Sequence, residues 1–215
     1  MTTDIVIVGC GGHGRETFGI IRAINETAPA TRRWRVRGFV DDGPSEVNLK
    51  RVQRLDAPYL GPVDWLAGQP STVHVALSIG DPRIRRAVGA RIDAYRLPAA
   101  TLVHPFAEVG PDTVSGEGLI VFAGARVTTN VTLGRHVHLN QNITIGHDCE
   151  LADYVSVNPL AAVSGDCHLE TGVLVGSNAT ILQNLRVGAD AIVGASACVV
   201  RDVPAGAVVK GVPAR

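Results

Sequence analysis

Rings and net charge are what this chain has least of. Aromatic residues make up 4% of its 215 positions, so its cores must be filled by aliphatic side chains in spaces too narrow for rings. The 20 Lys and Arg cancel the 20 Asp and Glu, which removes the global basic field that nucleic acid or an anionic membrane surface would favour. Neither is an expected partner. No apolar run comes near the roughly 20 residues that cross a bilayer, and Met-Thr-Thr-Asp leads straight into a strand without the apolar stretch of a signal peptide. A cytoplasmic chain is expected. The four cysteines hold no C-x-x-C spacing, so packed free thiols are a simpler reading than a metal clasp or a disulfide in a reducing compartment.

What the chain does have is a repeat. From Val109 to Val199 an aliphatic residue returns every sixth position, with Ser115 the one lapse, as in Val127, Leu133, Leu139, Ile145, Leu151 and Val157. Four places into each hexad stands an apolar or small residue, from Thr113 and Leu119 through Ile143, Cys149 and Cys167 to Val203. Both series must point inward. Gly or Asn often follows the aliphatic residue, as at Gly110, Gly134, Asn140, Gly146, Asn158, Gly176, Gly188 and Gly194, which predicts a sharp corner with positive φ at that place. A strand that turns at every hexad winds into a parallel β-helix whose coils are stable only when stacked.

Ahead of the coil, the β-branched run Ile5-Val6-Ile7-Val8 is followed by Gly9-Cys10-Gly11-Gly12-His13-Gly14 and a helical stretch near Arg15 to Asn25. Strand, glycine loop and helix in that order match G-x-G-x-x-G in the context it needs, with helix N-terminal amides free to receive phosphate oxygens. A strand from Trp34 to Val40 ends at Asp41-Asp42, whose carboxylates suit ribose or base hydrogen bonds, and a strand from Val73 to Ile79 closes at Gly80-Asp81 before a helix from about Pro82 to Tyr95. This unit is short for a full dinucleotide fold, so a mononucleotide or nucleotide-sugar site is the more economical reading. Its expected binding residues are Gly11, Gly12, His13, Gly14, Asp41, Asp42, Gly80 and Asp81. The fold class is therefore α/β + β, with a small Rossmann-like domain over residues 1–97 and the coil over 98–215.

A Rossmann-like unit carrying Gly-Gly-His-Gly joined to a hexapeptide coil carrying Ile-Gly-His-Asp-Cys resembles the NeuD/PglD-like sugar acyltransferases over nearly the whole chain. The resemblance implies a left-handed parallel β-helix, acetyl-CoA as donor, and a homotrimer with active sites between subunits. It carries catalysis onto His147 and Asp148, with Asn140 seven residues earlier, and nucleotide-phosphate contact onto His13. The ending Lys210-Gly211-Val212-Pro213-Ala214-Arg215 resembles a tail common among hexapeptide acyltransferases, which puts donor contacts at Gly165, Gly176, Gly194, Lys210 and Arg215. Two departures stand out: Ser156 where some relatives carry a second histidine associated with the donor, and Asp148 where the acid is a longer Glu.

The residues themselves support the transfer to His147. It stands two places after inward Ile145, so it projects outward near a corner, and one coil later Gly165 leaves room beside the imidazole for a thioester. An imidazole there suits a general base, Asp148 suits its orienting acid, and a backbone N–H near Gly165 suits an oxyanion donor. Against this, an isolated outward histidine is ordinarily just solvated, and Asn140 reads equally as a corner residue because Asn158 repeats it one coil on. The expectation is acetyl transfer to the amine of a nucleotide-linked sugar without a metal. Alternatives are O-acetylation of a sialic-acid-type hydroxyl, a non-catalytic nucleotide-sugar-binding trimer, and an NAD-dependent oxidoreductase resting on the glycine loop alone. Zinc held by His136, His138, His147 or His168 lacks a spacing that would converge three rings.

Overall fold

The computed structural model describes residues 2–215, leaving Met1 of the opening tetrad outside, and the chain forms two compact units. The first runs to Pro105, apart from Asp81–Arg83, which group with the second, Phe106–Arg215. Residues 98–100, expected to open the coil domain, are tied to the first unit, where Val75 N–H bonds Pro98 O and Ala100 N–H bonds Val75 O, at 2.9 and 2.8 Å. Among the described residues no helix is long and apolar enough to cross a membrane.

In the first unit, β1 (Thr3–Val8) leads to α1 (Gly12–Thr27), β2 (Trp34–Val40), α2 (Glu46–Gln53), β3 (Tyr59–Gly61), β4 (His74–Leu77) and α3 (Pro82–Asp93). The sheet order is β3-β2-β1-β4, parallel throughout. Ile5, Val6, Ile7 and Val8 are all buried, as a strand covered on both faces requires. The chain leaves β1 first toward β2 and later reaches β4 on the other side, so the sheet has its switch point beside β1, where such folds open a crevice at the strands' carboxyl ends. The first helix begins three residues earlier than Arg15, inside the glycine loop. Gly14 makes this possible: a Cβ there would stand 1.9 Å from Gly9 O, so helix and strand end approach at a distance only glycine permits. The short elements β3 and α2 carried no sequence signal strong enough to be expected.

In the second unit each hexad contributes a two-residue strand, and strands 18 residues apart pair in parallel and in register: Thr132↔Glu150↔His168↔Arg186 on one face, Thr144↔Ala162↔Thr180↔Cys198 on the next, His138↔Ser156↔Leu174↔Ile192 on the third. Three hexads therefore make one coil. Both expected inward series are buried through the middle of the coil, from Ala125 and Val127 to Val199 with Leu185 the partial exception, while Val109 in the first coil is 40% exposed because nothing stacks beneath it. At about 1.5–3 kcal/mol for each buried Val, Leu or Ile, stacking is what stabilises a coil too short to fold alone.

The corners differ from expectation. Positive φ falls three places after the aliphatic residue, at Asp112, Asn130, His136, Asn142, Asp148, Tyr154, Leu160, Asp166, Asn178, Asn184, Asp190 and Ser196, with Gly118, Gly124 and Gly172 filling the same place in other hexads. The glycines directly after the aliphatic residue are instead places of close approach. A Cβ on Gly110 would lie 1.7 Å from Thr128 O, on Gly146 2.5 Å from Gly165 N, and on Gly176 2.6 Å from Ala195 N. One coil's backbone thus occupies the volume a side chain below it would need.

This separates two kinds of corner substitution. Gly188→Ala drives its Cβ to 2.4 Å from Ala205 N and is expected to destabilise by about 2 kcal/mol; Asn178→Gly, at φ +58, is expected to stay within about 1 kcal/mol of the parent. Urea unfolding of the two variants checks the ordering.

Candidate active site

His147 and Asp148 stand at one corner of the coil, held by the backbone ladder: Asp148 N–H bonds Thr129 O and Asp166 N–H bonds His147 O, at 3.2 and 2.8 Å. Asp148 adopts φ +62, which turns its carboxylate back toward its neighbour, and its Oδ2 lies 2.6 Å from His147 Nδ1. One coil earlier Asn130, also at positive φ, donates from Nδ2 to Asp148 Oδ1 at 2.6 Å. Asn130 first, and His147 second, hold the Asp148 carboxyl below the usual carboxylate range. A carboxylate that stays charged prefers Nδ1 as N–H, which leaves Nε2 with its lone pair. Asn130 carried no sequence signal beyond its place 18 residues before Asp148 in the same column.

Gly165 does a different job from the one its spacing suggested. A Cβ there would meet His147 Cε1 and Nε2 at 2.6 Å, so the missing side chain is the seat of the imidazole and not an open slot for a thioester. Asn140 lies elsewhere: it follows strand His138–Leu139, on a different face from the Thr144–Ile145 strand that leads to His147. It is 6% exposed, and its Nδ2 donates to Val157 O at 2.9 Å and to Asn158 Oδ1 at 3.3 Å. Gly176 and Gly194 continue that column two and three coils after Asn140, with Lys210 Cβ lying 3.1 Å from the Cβ position of Gly194. Lys210 and Arg215 exchange backbone hydrogen bonds of 3.1 and 3.2 Å, which closes the end of the coil. Within one chain His147 and the expected donor column thus occupy two corners on either side of one face.

The remaining histidines are dispersed. His136 stacks on Tyr154 with ring centroids 5.2 Å apart, His138 is buried beside Ser156 of the next coil, and His168 Nδ1 faces Glu150 Oε2 at 3.2 Å. Among the described residues no three His, Cys, Asp or Glu side chains gather as a metal cage requires. All four cysteines are free thiols; Cys149 and Cys167 are buried, their Sγ atoms donating to Ser164 O and Leu182 O. Burial pushes the Cys10 thiol up to about 12, so it stays protonated and unreactive.

In the first unit the carboxyl ends of β1, β2 and β4 enclose a cavity of about 400 Å³. Gly9, Gly11, Gly12, His13, Asp41, Asp42, Ser78 and Gly80 line it, with Val63, Ile84 and Val88 on its apolar side. The expected set is largely brought together, with two exceptions. Gly14 packs against Gly9, and Asp81 stands outside, its Oδ1 accepting from Arg83 N–H at 2.8 Å at the start of α3. Helix α1 has no side-chain cap and no acid in its first turn, and its first residues, Gly12 and His13, line the cavity, so its positive dipole end stands there. Both aspartates also build the wall: Asp41 accepts from Cys10 N–H and Gly43 N–H at 2.8 and 3.0 Å, while Asp42 accepts from Val63 N–H and Arg91. Burial, and secondarily the charge of Arg85, push His13 down to about 4. At neutral pH it would meet a ligand as a neutral imidazole and not as a cation.

Comparison with known proteins places this geometry. The family model described as the PglD N-terminal domain matches residues 4–92. A GDP-perosamine N-acetyltransferase of Escherichia coli O157:H7 is 33% identical over 156 residues, 70% of this chain and 65% of that protein, so the matched stretch spans just under two thirds of that relative's length. Two solved structures match throughout. The acetyltransferase domain of PglB from Neisseria gonorrhoeae FA1090, in complex with acetyl coenzyme A, has a TM-score of 0.86 and 27% identity over 100% of this chain and 99% of that one. PerB from Caulobacter crescentus, in complex with CoA and GDP-perosamine, has a TM-score of 0.84 and 28% identity over 99% and 96%.

His13 gives the first unit a pH signature. Its folded value lies below the ordinary 6.5, so the stability linked to it is complete above that value and falls as pH drops toward about 4, where the unfolded chain takes up the proton first. The loss is expected to be on the order of 3 kcal/mol. Trp34 and Trp65 both report on this unit; urea unfolding followed by tryptophan fluorescence should show the slope between pH 7 and 4 flattened in His13→Gln.

Proposed function

We propose that this chain belongs to the PglD-like family of hexapeptide-repeat sugar acyltransferases, whose members it resembles, and that it moves an acetyl group from acetyl-CoA to the amine of a nucleotide-linked amino sugar. The observation that carries the reading is the coil corner: an exposed imidazole with Nδ1 held by a charged carboxylate at 2.6 Å, the carboxylate itself fixed by Asn130. Such a pair needs only an acceptor proton to act on.

The amine nitrogen attacks the thioester carbonyl carbon, His147 Nε2 takes the proton that the nitrogen sheds, and Asp148 stabilises the imidazolium. The carbon–sulfur bond then breaks and the leaving thiolate is protonated. A backbone N–H at Gly165, one coil from the base, is the proposed oxyanion donor. Direct transfer is preferred to an acyl-enzyme because Cys149, the nearest thiol in sequence, is buried in the coil interior. The cavity of the first unit takes the nucleotide diphosphate, with the α1 amides facing phosphate and Asp41 and Asp42 toward ribose or base.

How the candidate residues divide supports a homotrimer. His147 and Gly165 stand at one corner, and Asn140, Gly176 and Gly194 at the next. A neighbouring copy that covers the face between them would bring one chain's base to the other chain's donor column. Short outward side chains on that face, Thr144, Ala162 and Thr180, with exposed Leu160, Leu182 and Val200 at its margins, support this. The reaction is placed in the cytoplasm, a reducing setting that suits four free thiols.

The test is CoA release from acetyl-CoA across a panel of GDP-, UDP- and dTDP-linked amino sugars and free sialic acid. His147→Ala should lower kcat by about 10²–10⁴ while eluting as the same oligomer, and Asp148→Asn and Asn130→Ala should lose progressively less. Turnover only with a hydroxyl acceptor would replace N- by O-acetylation. Sugar-nucleotide binding without CoA release from any acceptor would leave a binding protein.

A further inference from the structure

The cavity in the first unit presents a charge problem. Asp41 and Asp42 line it, and among the described residues no lysine or arginine does; yet the ligand proposed for it carries a diphosphate. Arg91 satisfies Asp42 from outside, at 2.5 Å, and shares its guanidinium with Asp64 at 2.7 Å. That neutralises a wall without supplying a positive charge to the ligand.

Behind the opposite wall lies Arg85, on the first turns of α3 and wholly buried. Its Nη1 donates to both Ile79 O and Gly80 O, at 2.7 and 3.2 Å. These carbonyls belong to the turn from β4 into α3, and Ile79 and Gly80 line the cavity together with Ile84 and Val88 of the same helix. One nitrogen thus fixes the turn against the helix and turns two carbonyls away from the ligand. Burying a guanidinium is costly unless its hydrogen bonds are made, and two of those that Arg85 makes go to the wall of the cavity. Its charge reaches the cavity: it is the second cause, after burial, of the low value of His13.

We propose that Arg85 is a positioning residue of the sugar-nucleotide pocket, which never touches the ligand but holds the Ile79–Gly80 wall in place and supplies, from behind it, the positive charge toward which the diphosphate is drawn. This rests on the reading of the cavity as a sugar-nucleotide site. The α1 N-terminus and Arg85 together set a positive potential against Asp41 and Asp42, while His13, between them, contributes a hydrogen bond and no charge. Arg15, one turn along α1, is engaged with Cys10 O and Asn48 at 2.7 and 2.9 Å.

Arg85→Gln and Arg85→Lys separate the two roles in the full-length protein. Titration calorimetry with GDP and UDP, steady-state kinetics for both substrates, and an NMR titration of the His13 ring are the readouts. Arg85→Gln should weaken nucleoside diphosphate binding and raise KM for the sugar nucleotide about tenfold, with kcat and KM for acetyl-CoA moving by no more than about twofold. In the same variant His13 should titrate measurably higher than in the parent, with burial still holding it below its ordinary value. Arg85→Lys, which keeps the charge, should hold diphosphate affinity within about threefold of the parent. Unchanged diphosphate affinity in Arg85→Gln overturns the proposal, as does an equal loss in both variants with KM for both substrates rising together. If Arg85→Gln does not fold, Arg85→Lys decides alone, a loss of about tenfold or more overturning it. The His13 titration needs no ligand, so an unmoved resonance in Arg85→Gln overturns the role of Arg85 whether or not any nucleotide binds.

Discussion

A backbone ladder that returns every 18 residues governs the second unit. Because Thr132, Glu150, His168 and Arg186 pair in register and the other faces do the same, each residue lies about 4.8 Å from its equivalent in the next coil. Side chains therefore compete for space along columns, and each column must settle its own sizes. The candidate active site is one such settlement. An imidazole at 147 is possible because 165 has no side chain, and a carboxylate at 148 is oriented because 130 is an amide that reaches it. The candidate catalytic group is placed by the same rule that packs the core, with no loop built for the purpose.

That rule explains what was legible in the sequence. The inward positions repeat one chemical property in every hexad, so the series through Ile143, Ile145, Cys149 and Leu151 could be read residue by residue and is buried as read. The left-handed corner positions are filled mostly by Asp, Asn and Gly, the residues that tolerate the conformation, but His136, Tyr154, Leu160 and Ser196 also adopt it. For those four the conformation costs roughly 1–2 kcal/mol, which the ladder on both sides outweighs, so the series has no single side-chain property in every hexad. The glycines that did attract notice one place after the aliphatic residue mark backbone crowding, a reason equally compatible with the pattern and visible only once two coils are stacked. The crowding of Gly165 against the His147 ring is likewise visible only once two coils are stacked.

In the first unit the strand, glycine loop and helix were visible because all their determinants are local. The partners that tie the loop down are not. Asp41 reaches back 31 residues to Cys10 N–H, Arg91 crosses 49 residues to Asp42, and Arg85 shows no motif at all. Aspartates that looked like ligand groups are also structural acceptors, so their charge is partly spent before any ligand arrives. What the sequence conveyed was the place of the cavity; its electrostatic balance depends on residues brought together only by the fold.

The coil also acts as a ruler. Its length is quantised: a whole coil of 18 residues added between Asp166 and the closing pair Lys210 and Arg215 would restore every inward contact, yet carry that pair one step of about 4.8 Å further from His147. Insertions of other lengths would rotate every later corner off its face. The distance between the His147 imidazole and the closing pair is thereby stored as a count of coils, three of which, at positions 165, 183 and 201, follow His147 in its column, and it can change only in whole steps while the packing stays the same.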